Sequence, residues 1–424
     1  MSVANQLEVT DWLSMECARS LTNELFVSAG MNNDWAKDYD QPFPIGETAR
    51  IPLPWRPIGG DGMAYDPEPI VRRHFDVTVD KVPHVHFEWD SVEQALRLTR
   101  GREKIKDEII TPAMQKMRQK IELMAAHHAA INSPNVLGTL ETDPTTLGFA
   151  GQARTRLIQM AGWTGAKKTV GLSPSVMEAI TQAATVTTPI FNPTDKIAKA
   201  FVEGYLGENG GWQFAESMSL LQMTAGTRSG STNTIGTTVT SGASSITLGC
   251  TSGDTYYAGE KAGIASRYPV NPGSLQQAMT TTFQFAIAGT PGQLYTASGS
   301  TITLPITDTI YGPGDPYQNV TTLPTAGDVV TFWPGTSNPN GKQGTLSVLF
   351  NRDAFTIVPV KLANPEQGGA VQIATQNRDP RSGVSVAIIR VFDPIQRRWV
   401  NRFDALLGFG NLYNRNCSVV LAGA

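Results

Sequence analysis

The spacing of apolar residues changes several times along the chain, and each change predicts an element. Leu7, Trp12, Met15, Leu21 and Leu25 stand among polar neighbours at a loose helical spacing, so the stretch from Asn5 is expected to form an amphipathic helix ending at Gly30. After a Pro- and Gly-rich passage from Asp40 to Pro69, Val71–Trp89 alternates apolar and polar positions as one half-buried strand would. Ala49–Trp55 is its expected partner, confined to an edge by Pro52 and Pro54. The two enclose IGGDGMAYDPEP, which has turn chemistry and almost no core-forming residues. The pair is therefore expected to project as a two-stranded arm.

From Ser91 to Ile131 the period returns to that of a helix. Ile105, Ile109, Met114, Met117, Ile121, Met124 and His128 recur three to five residues apart, predicting one long helix bent at Pro112, where a backbone donor is missing. Helix and strand signals then alternate. Thr145 or Thr146 is placed to cap a helix reaching Met160, Lys168–Leu172 reads as a strand, and Ser173 before Pro174 is a cap followed by proline at the first helical position. A further helix is expected over Asp195–Tyr205, ending at GENGG.

At Met223 the character of the chain shifts. Up to Gln343 it is rich in Thr, Ser and Gly and poor in charge, with short β-prone runs (SSITLGC, TFQFAIAG, STITLPI, GDVVTFW) between turn residues. Such a run of short strands predicts a separate small barrel or sandwich, and its regularity argues against a low-complexity linker. TLSVLFNRDAFTIVP then resumes the mixed pattern, and VSVAIIRVFD, RWVNRFDALLGFGNLYN and SVVLAG supply closing strands. The expected division is 1–39, 40–90, 91–135, 136–222, 223–344 as an insertion, and 345–424 completing the interrupted core.

Composition narrows the classes. Of 424 residues 40% are hydrophobic and only 17% charged, with 40 Gly, 27 Pro and a net charge of −3. Soluble chains usually carry about 25% charge, so much of this surface is neutral and polar. The near-balanced charge argues against a dedicated nucleic-acid binder. No apolar run is long enough to span a bilayer. The start, MSVANQLEVTDWLSMECARS, has neither a basic n-region nor an apolar h-region and reads as that of a cytosolic product. Cys17, Cys250 and Cys417 are too few and scattered for a disulfide framework or zinc cluster.

Candidate chemistry is sparse. His84 and His86 share one face of a strand, but spacing supplies no third metal ligand. His127 and His128 point in different directions on a helix. Gly335–Lys342 (GTSNPNGK) imitates a phosphate loop, with one residue too many between its glycines and Gln343 where Ser or Thr is required. Gly408-Phe409-Gly410 lacks the last glycine of a dinucleotide fingerprint. The run Arg97, Arg100, Arg102, Lys104 and Lys106 alternates with acids as a salt-bridged helix face does. No enzyme, metal or cofactor is called for.

The order of parts, however, is distinctive: helical arm, two-stranded loop, long helix, mixed core, β-rich insertion, return to the core. With ETARIPLPW, GREKIKDEIITPAMQKMRQKIELMAAHHAAI, SMSLLQMTAGT and NRDAFTIVPVKL, it resembles the major capsid protein of tailed bacteriophages, the Hong Kong ninety-seven type fold, in the podovirus form with an inserted β-domain. The resemblance implies an α+β chain with N-terminal helix arm, extended loop, spine helix, axial and peripheral domains and a small barrel-like insertion. It implies hexamers and pentamers of an icosahedral head enclosing double-stranded DNA held by weak nonspecific contact, assembled in the host bacterial cytoplasm. A separate scaffolding protein and a portal would be partners, without a membrane.

On that resemblance, the loop would lie across an adjacent subunit. Arg50, Arg56, Arg72 and Arg73 with Asp61, Asp66 and Glu68 would set its register, and Trp55 and Tyr65 would anchor it. Leu7, Trp12, Met15, Leu21 and Leu25 would make the N-terminal contact, and Pro112 would be the spine's bend. No lysine lies between Lys37 and Lys81, so the covalent cross-linking of some family members is not expected. Two other readings compete: a virion decoration or carbohydrate-binding protein using Tyr256, Tyr257, Tyr268, Tyr295 and Tyr311, and a metal-dependent hydrolase centred on His84 and His86.

Overall fold

A computed structural model describes residues 25–37, 45–57, 59, 70, 72–90, 110–186, 207–229, 233–333, 340–362, 371–378, 384–393, 395 and 398–424. These divide into two compact units: Met1–Leu53, His74–Ala125 and Thr356–Gly410 in the first, Pro54–Arg73, Ala126–Phe355 and Asn411–Ala424 in the second.

The first unit contains a five-stranded sheet in which Arg398–Asn411 pairs antiparallel with both Ser385–Asp393 and His84–Asp90, while Val371–Arg378 forms an edge. Beside it, Thr48–Leu53 and Arg73–Thr78 form a two-stranded ribbon. The single strand expected over Val71–Trp89 is thus two strands. The chain breaks between them because Val79 exchanges hydrogen bonds with Gly46 and Glu47, while Lys81 bridges Leu407 and Pro83 has no N–H to offer a ladder. The ribbon alternates in burial, with Ala49, Ile51, Val77 and Val79 inward. Gly408 and Gly410 explain how it packs. A Cβ on Gly410 would lie 2.5 Å from Phe75 and 2.7 Å from Val77, and one on Gly408 would lie 3.0 Å from Val77 and Val79. The Gly-Phe-Gly run is therefore a close-packing device.

The second unit holds a seven-stranded mixed sheet with the path Val136–Gly138, Ser418–Ala422, Gln343–Asn351, Lys168–Leu172, Trp212–Glu216, Glu208–Asn209, and with Leu221–Thr224 paired to the Gln343 strand. Helices Gly148–Gln159 and Pro174–Val186 bury Phe149, Ala153, Leu157, Val176, Met177 and Ile180 with it. Ser173 caps the second helix through its Oγ to Val176 N–H at 3.4 Å. The first begins at Gly148 with Leu147 at its cap position and no side-chain cap, so neither Thr145 nor Thr146 serves as expected. The end of GENGG is a tight hairpin, with Gly210 and Gly211 at positive φ. The helix expected over Asp195–Tyr205 lies outside the described residues.

Residues 233–332 of the same unit build a six-stranded sheet in the order Phe283–Ala286, Lys261–Ile264, Val329–Phe332, Asn233–Ile235, Ala243–Gly249, Thr301–Ile310. Its outer strands meet through the Ile287–Ile306 bridge and Ala288 N–H to Pro305 C=O at 2.9 Å, which closes a barrel. Sixteen inward residues, Ile235 to Phe332, form a core cluster drawn from these strands, their connections and the strand Thr255–Tyr257, which pairs separately with Leu294–Thr296. At the margin of that core Arg228 (0% exposed) is paired with Glu260 (2%), its guanidinium stacked on Tyr256 and Phe332. Leu221–Thr224 and the start of Gln343–Asn351, one leading into this region and the other out of it, pair with each other.

The long helix runs Thr111–Asn132. Its buried stripe starts with Met114, Met117 and Ile121 and continues through Ala125, Ala126, Ala129 and Ala130, not through Met124 and His128. Its last four carbonyls have no intrahelical donors by geometry, yet each is satisfied: Ala129 by Ser133 N–H, Ala130 and Ile131 by the buried Lys261 ammonium at 2.7 Å each, and Asn132 by the Asn414 amide at 2.8 Å.

Lys261→Met should therefore destabilise the second unit by about 1–3 kcal/mol, because two buried carbonyls lose their donor. Burial holds the Lys261 ammonium well below the ordinary lysine range, so between its folded pKa and about 10.4 the unfolded chain binds more protons and folding strengthens as pH rises. Urea titrations from about pH 7 to 10 should show the native chain gaining on the methionine variant.

Candidate functional site

The arm carries most of the residues singled out above. Thr48–Leu53 and Arg73–Thr78 form its stem, where Ala49, Ile51 and Val77 alternate with exposed positions and Pro52 is tolerated because both strands of a two-stranded ribbon are edges. Arg50 pairs with Asp76 at 3.3 Å, both partly exposed, a contact of little energetic weight. Trp55 is 40% exposed and Ile70 71% exposed. Arg72 is exposed. Asp61, Tyr65, Asp66 and Glu68 lie outside the described residues.

Arg56 and Arg73 are brought together. The Arg73 guanidinium stands 3.7 Å from the Tyr317 ring centre and 5.0 Å from that of Tyr311, and its Nη1 donates to the Tyr311 hydroxyl at 3.1 Å. Arg56 lies 5.7 Å from Tyr317 and 5.4 Å from Tyr413. These distances are those of cation–π contacts. Burial raises the Tyr413 hydroxyl, with Arg56 pulling it down, and burial pushes the nearby Cys417 thiol up to about 12. Sequence reading missed the tyrosines as partners because all three are remote along the chain.

Of the residues expected to make the N-terminal contact, Leu7, Trp12, Met15 and Leu21 lie outside the described residues and Leu25 is buried within this chain; the long helix expected to reach Gly30 is, in its described part, only the four residues Val27–Gly30, with Leu25 and Phe26 outside it. What holds this segment was not foreseen. The Glu122 carboxylate on the long helix accepts from the N–H groups of Phe26, Val27 and Ser28 and from the Ser28 hydroxyl. Pro112 lies at the beginning of the described part of the long helix, and Ile110 just before it is already helical. Residues 91–109 lie outside the description.

The chemical candidates are placed as follows. His84 and His86 stack with ring centres 5.9 Å apart. Among the described residues no group of three His, Cys, Asp or Glu is arranged to hold a metal, and no helix is long and apolar enough to cross a membrane. His128 packs edge-on against Phe355 at 5.8 Å. Most of GTSNPNGK lies outside the description, but Lys342 pairs with Glu141 and Asn340 accepts the Arg228 N–H. Several of the tyrosines proposed for carbohydrate are engaged internally: Tyr256 is fully buried and donates to Asn233, Tyr295 donates to Ala288 C=O, and Tyr311 holds Arg73.

No protein-family model matches the chain, and no curated protein does. Among solved structures it is similar to Mycobacterium phage Che8, at 10% identity over 94% of this chain and 91% of that one, with a TM-score of 0.45. It is similar to the capsid structure of cyanophage P-SCSP1u at 10% identity, 91% and 86% coverage and a TM-score of 0.43. The capsid of Ralstonia phage GP4 gives 9% identity, 90% and 84% coverage and a TM-score of 0.40. At these values the likenesses assign the chain to no family.

Glu122→Gln would turn an amide N–H₂ toward donors and should cost about 1–3 kcal/mol. Burial, the largest influence, raises the Glu122 carboxyl above its ordinary range despite its four donors. The native chain's advantage over the glutamine variant should thus be largest below about pH 4.3 and shrink as pH rises through the raised value. Unfolding free energies of the two chains at pH 4 to 7 check the sign.

Proposed function

We propose that this chain is a structural shell subunit, a major capsid protein that self-assembles into the hexamers and pentamers of an icosahedral phage head around double-stranded DNA. One observation carries the reading: the excursion Pro54–Arg72 leaves a two-stranded stem and displays Trp55 and Ile70 to solvent. Large apolar side chains held out on an excursion so poor in core-forming residues gain their burial from another molecule.

Surface composition supports the same reading. With 17% charged residues, a subunit can meet several neighbours over wide areas without desolvating many ions. In this reading the loop and N-terminal segment supply intersubunit contacts, residues 223–344 form an inserted domain, and Pro112 marks where the spine changes direction as the shell matures. A scaffolding protein and a portal are separate partners, and contact with DNA is weak and nonspecific.

Negative-stain electron microscopy of fast-sedimenting material from cells expressing the chain alone should show closed shells, spirals or tubes. A chain that remains monomeric under crowding and at high concentration overturns the proposal. Replacing 57–70 with a short Gly-Ser linker should leave the barrel and mixed sheet folded, by circular dichroism and thermal melting, while abolishing those particles.

A further inference from the structure

We propose that Tyr311, Tyr317 and Tyr413 are positioning residues that clasp the two ends of the 54–73 excursion through Arg56 and Arg73, so that these ends are held together within the subunit before any neighbour arrives. The two arginines are far apart along the excursion but share one ring: Tyr317 faces Arg73 at 3.7 Å and Arg56 at 5.7 Å. Tyr311 and Tyr413 flank it, the former adding a hydrogen bond to Arg73 and the latter facing Arg56 at 5.4 Å. Planar guanidinium groups suit this role, since they stack on rings while keeping donors free for hydrogen bonds.

The rings are themselves fixed. Tyr311 N–H donates to the Asn319 carboxamide at 2.9 Å, the Asn319 N–H returns to Tyr311 C=O, and the Asn319 amide donates to Thr309 C=O at 2.7 Å. Tyr317 N–H donates to Asp315 at 2.9 Å. Tyr413 N–H donates to Ala354 C=O, and the Tyr413 carbonyl accepts from Asn416 and Cys417. On the loop side, Pro54 and Pro57 restrict the backbone around Arg56. Closing a loop at its base removes much of the chain entropy that would otherwise be lost on docking, which is how preorganisation favours binding. What the loop then meets rests on the shell reading; the clasp is a property of the single chain.

Hydrogen–deuterium exchange on the unassembled full chain tests it. In Tyr317→Leu, peptides spanning 54–73 should exchange roughly tenfold faster, and Tyr317→Phe, which keeps the ring face, should restore the native rate. Peptides covering Phe283–Ile287 report whether the barrel stays closed. Should the leucine variant open it, Arg56→Gln with Arg73→Gln, which leaves the barrel untouched, must give the same acceleration. Native exchange of the loop in either variant with an intact barrel overturns the clasp, as does failure of phenylalanine to rescue. Particles formed by the native chain are scored separately: their absence counts against the shell reading and leaves the exchange result to judge the clasp.

Discussion

A helix that ends inside a protein must find donors for its last carbonyls, and the second unit is organised around that requirement. At Ala129–Asn132 the donors come from three places: the next turn, the barrel strand bearing Lys261, and the C-terminal segment bearing Asn414. Neighbouring bonds extend the arrangement. Ser133 reaches Ser418, and Asn135 donates to the carbonyls of Arg415 and Ser418. Arg415 in turn donates to Gln284 C=O, pairs with Asp308 and lies 4.1 Å from the Phe283 ring centre. Arg156 and the Val136 N–H meet at the Gln284 side-chain oxygen. Segments far apart in sequence are thus pinned to one helix end by bonds that are costly to leave unmade.

Within the barrel, polarity is handled differently. Arg228 and Glu260 are removed from water together, and Glu260 takes the N–H groups of Gly226 and Tyr257 as well. Burial pushes its carboxyl up while Arg228 pulls it down. A pair of this kind adds little net stability compared with apolar packing, but neither partner tolerates loss of the other. Outside, Thr247 and Thr303 face one another across the strand pair by way of their hydroxyls, which gives an uncharged, hydrogen-bonding exterior.

Much of this was legible in the sequence because it depends on period. The β-prone runs SSITLGC, STITLPI and GDVVTFW coincide with strands, as do Lys168–Leu172 and the closing segments, since alternation and turn residues are local signals. Ser173-Pro174 read correctly because capping is local too. Failures occurred where a remote partner decides. Alternation through Val71–Trp89 is continuous, but its two halves pair with different strands. Lys261 and Glu122 carry no mark in the sequence, since nothing in the residues around them shows that each faces a set of backbone groups more than 90 positions away. Likewise Tyr311 read as a ligand-binding aromatic, whereas an arginine from the arm covers it.

The pairing of Leu221–Thr224 with Gln343–Leu346 places the two ends of the intervening segment about 5 Å apart, one strand spacing. Seen as evolutionary architecture, that is a socket: almost any module with neighbouring termini could be exchanged there without breaking the sheet. Lys261 makes the present occupant hard to replace, because it carries the ammonium on which a helix outside the module relies. A lineage could swap the barrel only by finding new partners at the same time for Ala130 and Ile131 and for the groups that Gln284 and Asp308 engage, so a module attached by an easily cut stem is retained by polar contacts away from that stem.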